Sequence, residues 1–236
     1  VTPKNFGRIA AQTAKQVVTQ RVREAERGII YNEFIDREED IMNGIVQRVD
    51  SRYIYVSLGK IEALLPASEQ MPNEQYKPHD RIKVYITKVE RTSKGPQIYV
   101  SRTHPGLLKR LFETEVPEIF DGTVEIKSVA REAGDRSKIS VHTDIPNVDP
   151  VGACVGQKGQ RVQVIVNELK GEKIDIVKWS EDPVEFVANA LSPSKVLEVL
   201  VNKEDKATTV IVPDYQLSLA IGKRGQNARL AAKLTN

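Results

Sequence analysis

The chain is poor in the residues that most often announce chemistry. Among 236 residues there is one cysteine, Cys154, one tryptophan, Trp179, three histidines and two methionines, and aromatics make up 6%. A single thiol excludes an internal disulfide and sets the expectation of a reducing, cytoplasmic compartment. His79, His104 and His142 share no motif with one another or with Cys154. No paired carboxylates and no nucleophile–base pattern occur either, so neither metal, cofactor nor catalysis is expected. No apolar run approaches the roughly 20 residues that span a bilayer, and no signal-peptide pattern opens the chain, so no membrane partner is expected. Neither charge sign dominates: 35 Lys and Arg face 32 Asp and Glu, for a net charge of +3. That balance does not by itself call for a polyanionic partner, so the placement of the charge decides.

What the chain does contain is one short pattern twice. Val155-Gly156-Gln157-Lys158-Gly159-Gln160 recurs as Ile221-Gly222-Lys223-Arg224-Gly225-Gln226, 66 residues on. In each copy an aliphatic residue leads into a Gly-x-x-Gly turn that carries a basic residue, and Gln opens a helix. Glycine removes the Cβ that would hold a phosphate away. The following helix start offers N–H groups and the positive end of its dipole. Between Val151 and Asn167 the charged residues are Lys158 and Arg161, and from Tyr215 to Asn236 they are Lys223, Arg224, Arg229 and Lys233, with no acid in either stretch. Two acid-free turns in a chain of balanced charge point to a nucleic-acid strand held at two places. A nucleotide-binding P-loop would need Gly-Lys-Ser/Thr, and Gln follows the second glycine of both copies.

Hydrophobic periodicity divides the chain. Apolar and small residues from Phe6 through Ile9, Ala10, Thr13, Ala14, Val17, Val18, Val22 and Ala25 to Ile29 keep helical spacing, predicting one long amphipathic helix within residues 1–39. This helix is expected to dock on a preceding domain, with the chain a fragment of a longer protein. From Asp40 the period becomes two. Five short strands (Ile41–Val49, then runs through Ile54, Ile61–Leu65, Ile82 and Ile98) match the count of a small OB-type barrel over 40–104. Its aliphatic residues should face inward. Tyr53, Tyr55, Tyr85 and Tyr99 should face outward among Arg52, Lys83 and Arg102, where tyrosines could stack on bases. Residues 105–180 read as helix, two strands, turn motif, helix and a strand over Lys173–Trp179. The same order restarts at Asp182-Pro183 and fills 181–236, but without the final strand. Only Ser180 and Glu181 separate the two units, so they should hold a fixed mutual orientation.

These residues resemble the bacterial transcription-factor family NusA over essentially the whole chain. The resemblance rests on Gln216-Leu217-Ser218-Leu219-Ala220-Ile221-Gly222-Lys223-Arg224-Gly225-Gln226-Asn227, on Asp149-Pro150-Val151-Gly152-Ala153-Cys154-Val155-Gly156, and on Lys173-Ile174-Asp175-Ile176-Val177. It implies an α+β multidomain chain: a linker helix, a five-stranded S1/OB barrel and two tandem type II KH domains (α-β-β-α-α-β), the second truncated. KH turns clamp about four nucleotides by their backbone. The resemblance therefore implies RNA contacts at Gly156, Gln157, Lys158, Gly159 and Arg161, and at Gly222, Lys223, Arg224, Gly225, Gln226, Asn227 and Arg229, with Tyr55 and Arg52 on the barrel. It also implies partners: single-stranded RNA as nascent transcript or leader RNA, RNA polymerase mainly through the preceding domain, and other antitermination factors. The barrel departs from the usual S1 pattern, with Arg52 where many carry an aromatic and Pro66 where they often carry His, so the KH turns carry more weight. Two other classes remain open on these residues: an accessory part of an RNA-processing enzyme, since exoribonucleases also carry S1 and KH domains, and a scaffold whose basic turns meet acidic proteins.

Overall fold

The computed structural model describes residues 4–236. It divides into two compact units: residues up to Ser68 together with Tyr76–Ser101, and Glu69–Gln75 together with Arg102–Asn236. The first unit opens with helix α1 (Phe6–Ile35). Its C-terminal end packs on the barrel: Phe34 joins the core and Ile30, Tyr31 and Ile35 lie against it. The rest of its apolar stripe, Phe6, Ile9, Val17, Val18, Val22 and Ile29, is exposed. Five strands follow, β1 (Ile41–Val49), β2 (Tyr53–Ser57), β3 (Glu62–Pro66), β4 (Arg81–Thr92) and β5 (Gly95–Ser101). They close into a barrel in the order β1-β2-β3-β5-β4, with β3 and β5 parallel. Alternate aliphatics from every strand, among them Val46, Ile54, Val56, Leu65, Val84, Ile86, Ile98 and Val100, fill it as period two requires.

Two expected outward residues are buried instead. Tyr85 is 6% exposed and pairs in register with Ser101, itself buried, so the barrel's outer face is covered at that point. A phenol can bury its ring when its hydroxyl finds a partner. Arg102 is fully buried within the second unit, where Glu74 and Glu168 take its guanidinium and the Glu168 carbonyl accepts a further bond.

The second unit holds α2 (Pro105–Glu115), α3 (Pro117–Phe120), β6 (Glu125–Glu132), β7 (Arg136–His142), α4 (Pro150–Val155), α5 (Gln160–Glu168) and β8 (Lys173–Lys178). The order then repeats as α6 (Pro183–Ala190), β9 (Glu198–Asn202), β10 (Ala207–Ile211), α7 (Leu217–Ile221) and α8 (Gln226–Thr235). In the first repeat β7 pairs antiparallel with β6 and parallel with β8; in the second, β9 and β10 form a two-stranded sheet. His104 starts α2 by accepting from the Gly106 amide, and Asp182 starts α6 by accepting from Val184. The two repeats share one core. Ala130 and Val177 of the first pack with Phe186, Ala190, Leu191, Leu230, Ala231 and Leu234 of the second. Polar ties reinforce it: Ser128 donates to the Leu234 carbonyl and the buried Lys138 to the Ser192 carbonyl. The repeats therefore form one body, which fixes the separation of their turns.

Candidate nucleic-acid interface

The two Gly-x-x-Gly turns have the same backbone. Gly156 and Gly222 share φ 77, with ψ 171 and 170. Lys158 and Arg224 sit at φ 54 and 55, and Gly159 and Gly225 at φ 75 and 73. The second glycine's amide donates back to the first glycine's carbonyl at 3.1 Å in both. Gln157, Lys158, Lys223 and Arg224 are all exposed at the tips. Amides at the tip and the first turn of α5 or α8 lie where a helix start leaves N–H groups without intrahelical acceptors. The result is a small cationic knuckle with backbone donors beside it, suited to one phosphate group and the sugar next to it.

The first glycine is demanded twice over, by its positive φ and by space. A Cβ on Gly156 would fall 2.7 Å from Arg161 Cγ, and one on Gly222 would fall 2.7 Å from both the amide nitrogen and the Cβ of Asn227. At Gly225 nothing lies within 4 Å, and only the left-handed backbone restricts the residue. Gly222→Ala should therefore cost about 3 kcal/mol and Gly225→Ala about 1 kcal/mol in chemical denaturation. Equal costs would mean that the close approach of Asn227 does not constrain the turn.

Structure separates the candidate residues into those that reach solvent and those that hold the turns in place. Asn227 is 1% exposed; its Nδ2 donates to the carbonyls of Leu191 and Ala220, and its Oδ1 has no partner within the protein. Its side chain ties α8 to the helix before the turn and is closed off from solvent. Arg161 occupies the equivalent place in the first repeat. Its NH1 donates to the Ala153 carbonyl at 2.6 Å and to Glu118 at 2.8 Å, so this half-buried guanidinium is already engaged. Gln226 donates to both Glu132 and Asp135 at 2.7 Å, and Arg229 Nε donates to Glu132. Those acids come from the β6–β7 turn, more than 90 residues away in sequence, and nothing local in the sequence announces them. Cys154 lies buried just before the first turn, and burial pushes its thiol up to about 12, which keeps it protonated.

On the barrel, Tyr55 is half-buried and Arg52 exposed. A third residue belongs with them. A bulge between Val46 and Arg48 sets Arg48 opposite Tyr55, and its guanidinium lies 3.8 Å from the Tyr55 ring centroid. Tyr53 is 6.5 Å from Tyr55, centroid to centroid, completing a cationic and aromatic strip. Gln47, Arg48 and Val49 are all exposed, so no buried residue after the bulge marks the change of phase, and the sequence pattern does not single out Arg48. A groove of about 680 Å³ elsewhere in the second unit is lined by Lys127, His142, Asp144, Trp179, Glu181 and Glu185 among others. Its mixed charge sets it apart, and none of the residues of either Gly-x-x-Gly lines it. Among the described residues no group of three or more His, Cys, Asp or Glu could hold a metal, and no helix is long and apolar enough to cross a membrane.

Comparison with known proteins agrees with this architecture. Residues 35–101 match the S1 RNA binding domain, 102–179 the NusA-like first KH domain, 183–236 the NusA-like second KH domain, and 1–28 the NusA N-terminal domain. The transcription termination/antitermination protein NusA of Bacillus subtilis is 88% identical over 235 residues, which is 100% of this chain and 63% of that protein. That of Thermus thermophilus is 52% identical over 236 residues, covering 100% of this chain and 61% of the relative. That of Mycobacterium bovis is 52% identical over 244 residues, covering 99% of this chain and 70% of the relative. The chain thus spans a little under two thirds of the Bacillus and Thermus proteins. On sequence, domain order and the identity it keeps along its whole length, the chain belongs to the NusA family.

Proposed function

We propose that this chain is the RNA-holding part of a cytoplasmic transcription factor that acts on RNA polymerase in pausing, termination and antitermination. Single-stranded RNA, as nascent transcript or leader, is gripped by its backbone at the two turns. Gln157, Lys158, Lys223 and Arg224 are the principal contacts, with Gly156, Gly159, Gly222 and Gly225 allowing the close approach. The strip of Arg48, Arg52, Tyr53 and Tyr55 is a secondary surface. Polymerase is met mainly through sequence preceding α1, whose exposed apolar stripe fits a packed neighbour. Domain boundaries near residues 40, 105 and 181 separate helix, barrel, first KH and second KH. The chain acts by binding, without catalysis.

The observation that carries this reading is the repetition of one strained backbone with exposed cations at both tips. A salt titration of RNA affinity tests it. Backbone gripping releases counterions, so log K should fall linearly with log salt, at about 0.7 per phosphate neutralised on a single strand. With three cations at the tips, a slope near −2 is expected. A flat titration contradicts backbone gripping. Turnover of the RNA during the assay would favour the processing-enzyme class, and partners retained after nuclease treatment would favour the scaffold.

A further inference from the structure

The second turn is tied to the neighbouring repeat by side chains that have no counterpart at the first turn, where Arg161 reaches only Glu118 and Ala153 of its own repeat. Glu132, on the last position of β6, accepts from Arg229 Nε through one oxygen and from Gln226 Nε2 through the other. Asp135 accepts from the same Gln226 nitrogen at 2.7 Å. Arg229 then turns back: its NH1 donates at 3.1 Å to the carbonyl of Arg224, the left-handed residue at the tip of the turn. A continuous path therefore runs from a carboxylate of the first KH unit, through Arg229, to the backbone of the second unit's Gly-x-x-Gly. The equivalent residues of the first repeat make no such path. Gln160 is exposed, and Gln163 bonds to Asn167 within its own helix. The acids are themselves held. Glu172, fully buried and paired with Arg131, accepts from the Gly134 amide at 2.7 Å and so fixes the β6–β7 turn that presents Glu132 and Asp135.

We infer that Glu132 is a positioning residue for the second RNA-binding turn, acting through Arg229 on the Arg224 backbone. This inference rests on the RNA-binding reading of the turns and deepens it. It also reassigns Gln226 and Arg229: their side chains link the two repeats and hold the turn, and the strand is met by Lys223, Arg224 and the amides between the glycines. The ordinary charge argument predicts the opposite for Glu132. An acid beside a polyanion site should weaken binding, so its removal should strengthen it. Positioning makes removal harmful in spite of the charge, and this difference in sign is what the experiment reads.

Affinity for an unstructured single-stranded RNA is measured by fluorescence anisotropy at fixed salt for Glu132→Ala, Glu132→Gln, Arg229→Ala and the Glu132→Ala/Arg229→Ala pair. Each Ala variant should bind about 5- to 10-fold more weakly, the pair no more weakly than the worse single, and Glu132→Gln in between because it keeps an acceptor for Arg229. The same Glu132 substitutions are then made in a protein carrying Lys223→Asp and Arg224→Asp. There they should change nothing, since the turn through which Glu132 acts is already disabled. Unchanged or tighter binding by Glu132→Ala overturns the inference and marks Arg229 as a phosphate contact that Glu132 restrains. A loss that persists in the Asp background overturns it as well, because general loosening of the fold then explains the effect. Should Glu132→Ala not fold, Glu132→Gln carries the same comparison. If Lys223→Asp/Arg224→Asp itself binds RNA like the parent, the RNA-binding reading fails, independently of Glu132.

Discussion

Replacing Gln157, Lys158, Lys223 and Arg224 together by Asp lowers affinity for unstructured RNA by more than about 100-fold while leaving the protein folded. The substitution removes three cations and adds four anions at the two tips, where the phosphates would lie, and each neutralised phosphate contributes through counterion release. Folding survives for reasons visible in the turns. All four side chains are exposed, and the left-handed positions, Lys158 and Arg224, accept Asp with less strain than most residues. Anisotropy titration gives the affinity, and circular dichroism with a thermal melt gives the fold. A folded quadruple variant that binds like the parent would remove both turns from the interface.

The second large effect is on stability. Glu172→Ala should destabilise the protein by about 3–5 kcal/mol in denaturant unfolding, because it removes one side of a buried ion pair. Arg131 and Glu172 both have fully buried side chains, with Arg131 donating to both carboxylate oxygens. Burial pulls the Arg131 guanidinium below its ordinary pKa, and the Glu172 charge and hydrogen bonds are the main opposing influence. Without Glu172 that desolvated cation loses its counter-charge, and the Gly134 amide and Ser137 hydroxyl lose their acceptor too. An exposed carboxylate such as Glu62, which reaches Arg48 at 3.4 Å, should cost less than about 1 kcal/mol when truncated. Similar costs for the two would mean that the buried network has water access.

Reading the chain as sequence recovered what depends on local spacing. Period-two alternation located all five barrel strands, because one face of each fills the core, and the recurrence of Gly-x-x-Gly located both turns. Glycine's roles there are set within six residues, so they show in a linear pattern. What escaped depends on contacts between distant segments. Tyr85 and Arg102 were expected outside because alternation says which face a residue takes, not whether that face is covered. Arg48 reached Tyr55 only through a bulge. Gln226, Arg229 and Asn227 follow the second turn, where the family resemblance implies RNA contacts. Besides nearby carbonyls, their partners are Glu132, Asp135 and Leu191, at least 36 residues away and brought in by the core that the repeats share.

On the proposed reading of the turns, that shared core would turn two weak grips into one strong one. Each KH turn alone covers about four nucleotides. With the turns fixed in one body, a strand held at the first would meet the second at high effective concentration. The decisive measurement is RNA affinity against oligonucleotide length, for the parent and for proteins with one turn reversed, Lys158→Asp or Lys223→Asp/Arg224→Asp. For the parent, affinity should stay low near four nucleotides and climb about 100-fold once the strand spans both turns; in either single-turn protein the climb should vanish. An affinity that levels off at four or five nucleotides, or a climb that survives the loss of one turn, would contradict joint use of the two.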